Sequence, residues 1–239
     1  EDDLAKYQTG LTITVSGNNI NPEAEDKSTL TLTWDDVKDG GREIDGLPVG
    51  ETYSVREEIT GPETGELKYS YTYLESASTT EGEGTIAEDE TAEVELVNKY
   101  EQDKGKLKVT KTVEGLPADL ASAAIYLVSV KDADGNYYAL NGAITGTKEH
   151  WVEIKDGADN AALWQNLPVG LTYIVTEKVE LAGVAGYVLS ETTYKVGDEE
   201  TQETEVEKDE TAEVSVTNKY EQDVTEATIV KVWEDNENA

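Results

Sequence analysis

Short runs in which apolar and polar residues alternate with a period of two recur along the whole chain. This is the pattern of strands with one face in a core and the other in water. It is clearest in Leu107-Lys108-Val109-Thr110-Lys111-Thr112-Val113, in Tyr173-Ile174-Val175-Thr176-Glu177 and in Val214-Ser215-Val216-Thr217-Asn218. Turn-forming clusters separate the runs: Asp39-Gly40-Gly41, Pro48-Val49-Gly50, Asp134-Gly135-Asn136 and Pro168-Val169-Gly170. One short stretch, Ala118 to Ala124, has the character of a helical turn. Many short strands at this spacing predict an all-β chain of tandem immunoglobulin-like β-sandwich domains with Greek-key connections.

The pattern repeats. LPVGETY at 47–53 returns as LPVGLTY at 167–173, and DETAEVELVNKYEQD at 89–103 returns as DETAEVSVTNKYEQD at 209–223. Both pairs are separated by 120 residues, so the chain holds two homologous domains. The expected division is a first domain at 1–103, a second at 104–223, and a surplus segment at 224–239. A brief charged connection, Tyr100 to Gly105, joins the two domains.

Following the apolar face of each strand exposes a conflict. The alternate positions read Leu107, Val109, Lys111, Val113 on one strand and Tyr173, Val175, Glu177, Val179 on another; on the last they read Val214, Val216, Asn218, Tyr220. A polar group thus sits in a core-facing slot of all three. A slip of one residue would put whole apolar sets into water, so these registers are well determined. Burying a lone Lys or Glu costs several kcal/mol, roughly, even after relaxation. One resolution is a hydrogen-bonded ion pair beside a satisfied Asn. The other is chemistry: burial lowers an amine's pKa and raises a carboxyl's, so the amine becomes a nucleophile and the acid can polarise the Asn carbonyl and move protons. Attack of Lys111 on the Asn218 side chain would expel ammonia and leave an amide cross-link, with contact in the core supplying proximity.

The strings Gly105-Lys106-Leu107-Lys108-Val109-Thr110-Lys111-Thr112-Val113, Leu-Pro-Val-Gly-x-Thr-Tyr-x-Val-x-Glu and Val-x-Asn-Lys-Tyr resemble Gram-positive pilin and adhesin domains. These are the B-type domains of collagen-adhesin-like proteins and related major-pilin domains, with intramolecular Lys–Asn isopeptide bonds. The resemblance covers nearly all of the second domain. It implies that Lys111 on the first strand joins Asn218 on the last, assisted by Glu177. Such a bond would tie the strands through which tension enters and leaves.

The first domain keeps Glu57 and Asn98 at the matching positions but no Lys-bearing strand. Asp3-Leu4-Ala5 matches Asp119-Leu120-Ala121, and Leu11 through Val15 matches Tyr126 through Val130, so this domain is expected to start one strand late. At the other end, Ala227-Thr228-Ile229-Val230-Lys231-Val232-Trp233 reads as a further first strand, with Lys231 where Lys111 falls. Either the chain is cut without regard to domain edges, or residues 225–239 enter the first domain of a neighbouring copy by donor-strand exchange. In the second case Lys231 would bond Asn98 with Glu57 assisting, giving a head-to-tail filament.

Composition narrows the function. The 52 acidic against 19 basic side chains give a net charge of −33, which excludes nucleic acid and an anionic membrane surface as partners. With no Cys, disulfides, thiolate metal sites and Cys nucleophiles are excluded. The absence of Met as well suits an exposed extracellular protein. No apolar run reaches transmembrane length. His150 lacks a catalytic or metal-ligating companion and is expected on a surface strand. Asp132-Ala133-Asp134-Gly135-Asn136 resembles part of a calcium loop and is expected to be a hairpin turn. The acidic runs at Glu88–Glu90 and Asp198–Glu205 are expected to be solvated loops, and Trp34, Trp151 and Trp164 to be core or sheet-face residues. No cofactor, metal cluster or catalytic triad is expected. The sequence therefore points to a non-enzymatic cell-wall or pilus-like stalk whose partners are other copies of the same fibre. The alternative is an adhesin module binding a host matrix protein or glycan.

Overall fold

The computed structural model describes residues 2–63 and 65–232. The chain forms two compact units, one mainly of residues up to Gly105 and the other mainly of residues from Lys106 onward. Strands are the main regular structure of both, as the period-two alternation predicts, and the helices are few and short. Among the described residues no helix is long and apolar enough to cross a membrane.

Unit 1 contains β1 (Leu11–Gly17), β2 (Thr29–Thr33), β3 (Thr52–Ile59), β4 (Tyr71–Tyr73), β5 (Glu81–Thr85) and β6 (Tyr100–Gln102). Four of these make an antiparallel sheet in the order β2-β1-β3-β5, and β4 pairs with β6. Every second residue of β1 (Leu11, Ile13, Val15) is buried and packs with Ile20 and Leu32. The other apolar residues against this cluster, including Tyr53, Val55 and Leu96, are only partly buried.

Unit 2 contains β7 (Lys104–Glu114), β8 (Tyr126–Asp132), β9 (Tyr137–Tyr138), β10 (Ile144–Gly146), β11 (Val152–Ile154), β12 (Ala162–Pro168), β13 (Thr172–Glu177), β14 (Tyr187–Lys195), β15 (Glu203–Glu205) and β16 (Thr211–Gln222). They form an immunoglobulin-like sandwich. One sheet runs β10-β9-β8-β13-β15 with β11 also on β8, and the other runs β12-β7-β16-β14. The first and last strands, β7 and β16, lie side by side and parallel. Hydrogen bonds cross between the sheets: Trp164 Nε1 donates to the Tyr138 carbonyl at 2.9 Å, and the Tyr220 and Tyr126 hydroxyls meet at 3.3 Å. Leu107, Val109, Val128, Val130, Tyr173, Val175, Val214 and Val216 are wholly excluded from solvent. The expected helical turn is present at Ala118–Ala123.

The correspondence between the repeats holds at the level of pairing. Ile13 of β1 lies opposite Glu57 of β3, and Val128 of β8 lies opposite Glu177 of β13. Some sequence expectations need correction. His150 is in a non-strand stretch, half-buried, because the strand there begins only at Val152. Trp34 opens a short helix and is 36% exposed rather than part of a sheet face or core. Residues 224–232 form no strand in the single chain, and the rest of the surplus segment, from Trp233 on, lies outside the described residues.

Candidate functional site

The three polar residues in core-facing slots of unit 2 meet. Strands β7 and β16 pair in the register Lys111↔Val216 and Val113↔Asn218, so Lys111 and Asn218 are diagonal neighbours on one face. Glu177, at the end of β13, reaches them from the opposite sheet. Lys111 Nζ donates to Glu177 Oε2 at 2.7 Å, and Asn218 Nδ2 donates to Glu177 Oε1 at 2.6 Å. Lys111, Glu177 and Asn218 are 1%, 3% and 0% exposed. The carboxylate therefore bridges amine and amide, one oxygen to each.

Electrostatics follow from this burial. Desolvation pushes the Lys111 amine below the usual lysine range, against the opposing pull of Glu177. The ring of Tyr126 lies 4.6 Å from Nζ and favours the cation. Tyr126 is itself pushed far up by burial and by the hydroxyl of Tyr220. The Glu177 backbone N–H donates to the Tyr194 hydroxyl at 3.0 Å, which fixes the end of β13.

The sequence reading had the acid polarising the Asn carbonyl. In the structure the carboxylate instead meets the amide nitrogen. The carbonyl oxygen, Asn218 Oδ1, is buried with no hydrogen-bond partner among the described residues, and so is Thr192 Oγ1. Thr192 stands directly opposite Asn218 across the β14–β16 pair, on the same face by the rule of strand pairing. Each of these buried atoms without a partner costs roughly 1–3 kcal/mol in lost hydration. Sequence reasoning missed Thr192 and Tyr194. The available signal was that both occupy alternate positions of a strand that had not been paired with β16.

Unit 1 carries the same arrangement without the amine. Asn98 Nδ2 donates to Glu57 Oε1 at 2.6 Å, and Glu57 is buried. Burial raises the Glu57 carboxyl above its ordinary value, with the Asn98 hydrogen bond opposing. Lys231 lies in the exposed segment after β16. The calcium-like loop is a hairpin whose carboxylate is used internally. Asp132 accepts from the Asn136 backbone N–H at 2.9 Å and from the Tyr138 hydroxyl at 2.8 Å. Among the described residues no cluster of His, Cys, Asp and Glu could hold a metal ion.

The family model for the domain of unknown function DUF5979 matches residues 2–101 and again 107–221. The chain belongs to this family. Its two DUF5979 matches coincide with the two copies of the Glu–Asn pair. No curated protein matches the chain. Among solved structures, the DUF5979 chain is similar to the major pilin of Streptococcus pyogenes, with 19% identity and a TM-score of 0.41, covering 87% of this chain and 90% of that one. It is similar to a Mobiluncus mulieris adhesin containing intramolecular disulfide, isopeptide and ester bond cross-links, at 15% identity and a TM-score of 0.36, covering 88% and 85%. It is also similar to GBS52, the minor pilin of Streptococcus agalactiae, at 15% identity and a TM-score of 0.32, covering 93% and 87%.

Proposed function

We propose that the protein is a structural module of a Gram-positive-type cell-surface stalk or pilus-like fibre, and that unit 2 locks itself with an amide bond between Lys111 and Asn218. The observation that carries this reading is the buried Lys111–Glu177–Asn218 bridge. A hydrogen-bonded ion pair alone would not need an amide at the second carboxylate oxygen, nor leave that amide's carbonyl without a donor.

The geometry suits a proton shuttle. Glu177 takes a proton from the Lys111 ammonium at Oε2, leaving a neutral amine. The amine nitrogen adds to the Asn218 side-chain carbon, and the Thr192 hydroxyl supports the negative charge developing on Oδ1. Glu177 then turns its carboxyl group and delivers the proton it took to the departing amide nitrogen, which lies against the same group. The carbon–nitrogen bond of the original amide breaks and ammonia leaves. The new amide nitrogen sheds its extra proton to the carboxylate. Each site reacts once, so the chain is altered by the chemistry and is not an enzyme for other substrates.

The bond would join β7 to β16, the strands by which the chain enters and leaves unit 2. Load applied along a fibre would pass through the covalent link and not through the ladder of hydrogen bonds. Head-to-tail assembly through residues 225–239 belongs to the same reading, with other copies of the chain as partners and the outside of the cell wall as location. Single-molecule pulling tests the mechanical role. Unit 2 should resist extension between residues 111 and 218 in the natural chain and extend fully in Lys111→Ala. Full extension of the natural chain would overturn it.

A further inference from the structure

Strand β7 carries Lys111 and is held differently along its two edges. One edge pairs with β16 from Lys106 to Glu114. The other edge faces β12, but at Lys111 and Val113 its hydrogen bonds go to the loop between β11 and β12. The Gly157 backbone N–H donates to the Lys111 carbonyl at 3.0 Å, and the Val113 backbone N–H donates to Asp156 Oδ1 at 2.9 Å. A carboxylate thus stands where a neighbouring strand would offer a carbonyl, beside the residue that holds the reactive amine.

The loop is shaped to keep that carboxylate in place. Gly157 has φ +99°, a conformation that a residue with a side chain rarely adopts. Asn160 ends one turn of 3₁₀ helix at Ala158–Asn160 and ties the loop back on itself. Its Nδ2 donates to the Asp156 carbonyl at 2.7 Å, and its backbone N–H donates to the Gly157 carbonyl at 3.1 Å. Asp156 is half-buried, while Lys155 and Gly157 on either side of it are exposed.

An uncharged oxygen would satisfy the Val113 N–H equally well. A carboxylate adds a charge, and the charge acts on the site. Lys111 is faced by Glu177 from β13, by the Tyr126 ring from β8 with the Tyr220 hydroxyl of β16 beside it, and by Asp156 from the loop. Both carboxylates favour the ammonium, against the desolvation that dominates and lowers the Lys111 pKa. Asp156 also helps to push the Tyr126 hydroxyl upward, so that ring stays neutral. Glu177 touches the amine and moves the proton, whereas Asp156 is bound to the backbone of β7 and stays where it is.

We propose that Asp156 is a positioning residue for the cross-link: it clamps β7 at Val113 and supplies a fixed negative charge that steadies the Lys111 ammonium until Glu177 takes its proton. This rests on the amide chemistry assigned to unit 2. The bond made, the bond broken and the proton passed on involve Lys111, Asn218 and Glu177 alone, and ammonia is the only group to leave. Asp156 governs how Lys111 enters that sequence. Without the charge, the lysine gives its proton to solvent at a lower pH, and the shuttle then has nothing to carry. Without the clamp, the end of β7 loosens and the amine loses its alignment with the Asn218 side chain.

Refolding at a series of pH values tests this, with ammonia release and intact mass as readouts. The full chain is recovered unfolded and unlinked from inclusion bodies, beside two variants. Asp156→Asn keeps an oxygen for the Val113 N–H and removes the charge; Asp156→Ala removes both. In the natural chain, bond formation should slow as pH rises through the lowered Lys111 value. In Asp156→Asn the same slowing should begin about half a pH unit or more lower, the size expected of one charge near the amine. Asp156→Ala should show that shift and also react roughly tenfold more slowly at every pH. An Asp156→Asn profile that superimposes on the natural one would overturn the proposal, and so would equal rates in the two variants. Asp156→Asn retains the hydrogen bond, so its profile decides the matter alone where Asp156→Ala does not fold. Ammonia release from the natural chain with an unshifted Asp156→Asn profile sinks this inference and leaves the unit 2 reading intact. No release from the natural chain at any pH sinks both.

Discussion

Lys111 Nζ lies 2.7 Å from Glu177 Oε2, with both side chains wholly excluded from solvent. A pair so placed is costly unless its remaining hydrogen-bonding capacity is used. Here the second carboxylate oxygen is used by Asn218. If Glu177 is the proton carrier, Glu177→Gln keeps the shape and removes the function. The variant should retain its full mass. It should also lose the stabilisation that a closed loop on the order of a hundred residues confers, about 4–5 kcal/mol, or roughly 15–25 °C in melting temperature. Calorimetry of the variant beside the natural chain checks this.

The bond should form more slowly once pH strips the shuttle of its proton. The mechanism uses the proton that Lys111 gives to Glu177, and burial lowers the Lys111 pKa, so that proton is lost to solvent at a pH below the usual lysine range. Refolding a denatured, unlinked Glu177→Gln chain gives the blank. For the natural sequence, ammonia release after first folding, followed by mass at several pH values, should slow as pH rises through that lowered value. A rate that keeps rising toward alkaline pH would contradict the internal shuttle.

Thr192→Val replaces an unpartnered hydroxyl with a methyl group of the same size. With the hydroxyl proposed to receive the charge developing on Asn218 Oδ1 removed, bond formation should slow by about 10²–10³-fold, the usual effect of deleting one such donor. The final cross-linked fold should be unchanged, because the hydroxyl makes no hydrogen bond in the structure. An unchanged rate would assign Thr192 a packing role only.

How much of this was legible in the sequence differs between the two units. In unit 2 the strict alternation of Leu107, Val109, Lys111 and of Val214, Val216, Asn218 fixed both strands and the face of each polar residue, and the structure has them so. What alternation could not give was partner order. The parallel pairing of β7 with β16 and the position of β14 are long-range facts, and with them Thr192 and the side of the amide that Glu177 meets. In unit 1 the matching residues 91–99 form no strand beyond a bridge at Val97, because a strand needs a neighbour as well as a pattern. His150 and Trp34 were misplaced for a related reason: a single residue between strands carries no period to read.

Glu57 should give unit 1 a contribution to stability that falls as pH rises. Glu57 has a pKa raised above 4.5 by burial. Between 4.5 and the raised value the folded state holds more protons than the unfolded one, so stability falls as pH rises through that window and is flat above it. Denaturant melts of residues 1–103 within the intact chain, followed by exchange of their amides, should show this loss. Glu57→Gln should abolish it.

The central claim is tested most directly by the intact mass of the purified chain, with tandem spectra of its proteolytic peptides. The account predicts a mass short by one ammonia, a branched peptide joining Lys111 to Asn218, and full mass in Lys111→Ala. A natural chain at full mass, with peptides carrying free Lys111 and Asn218, would contradict it.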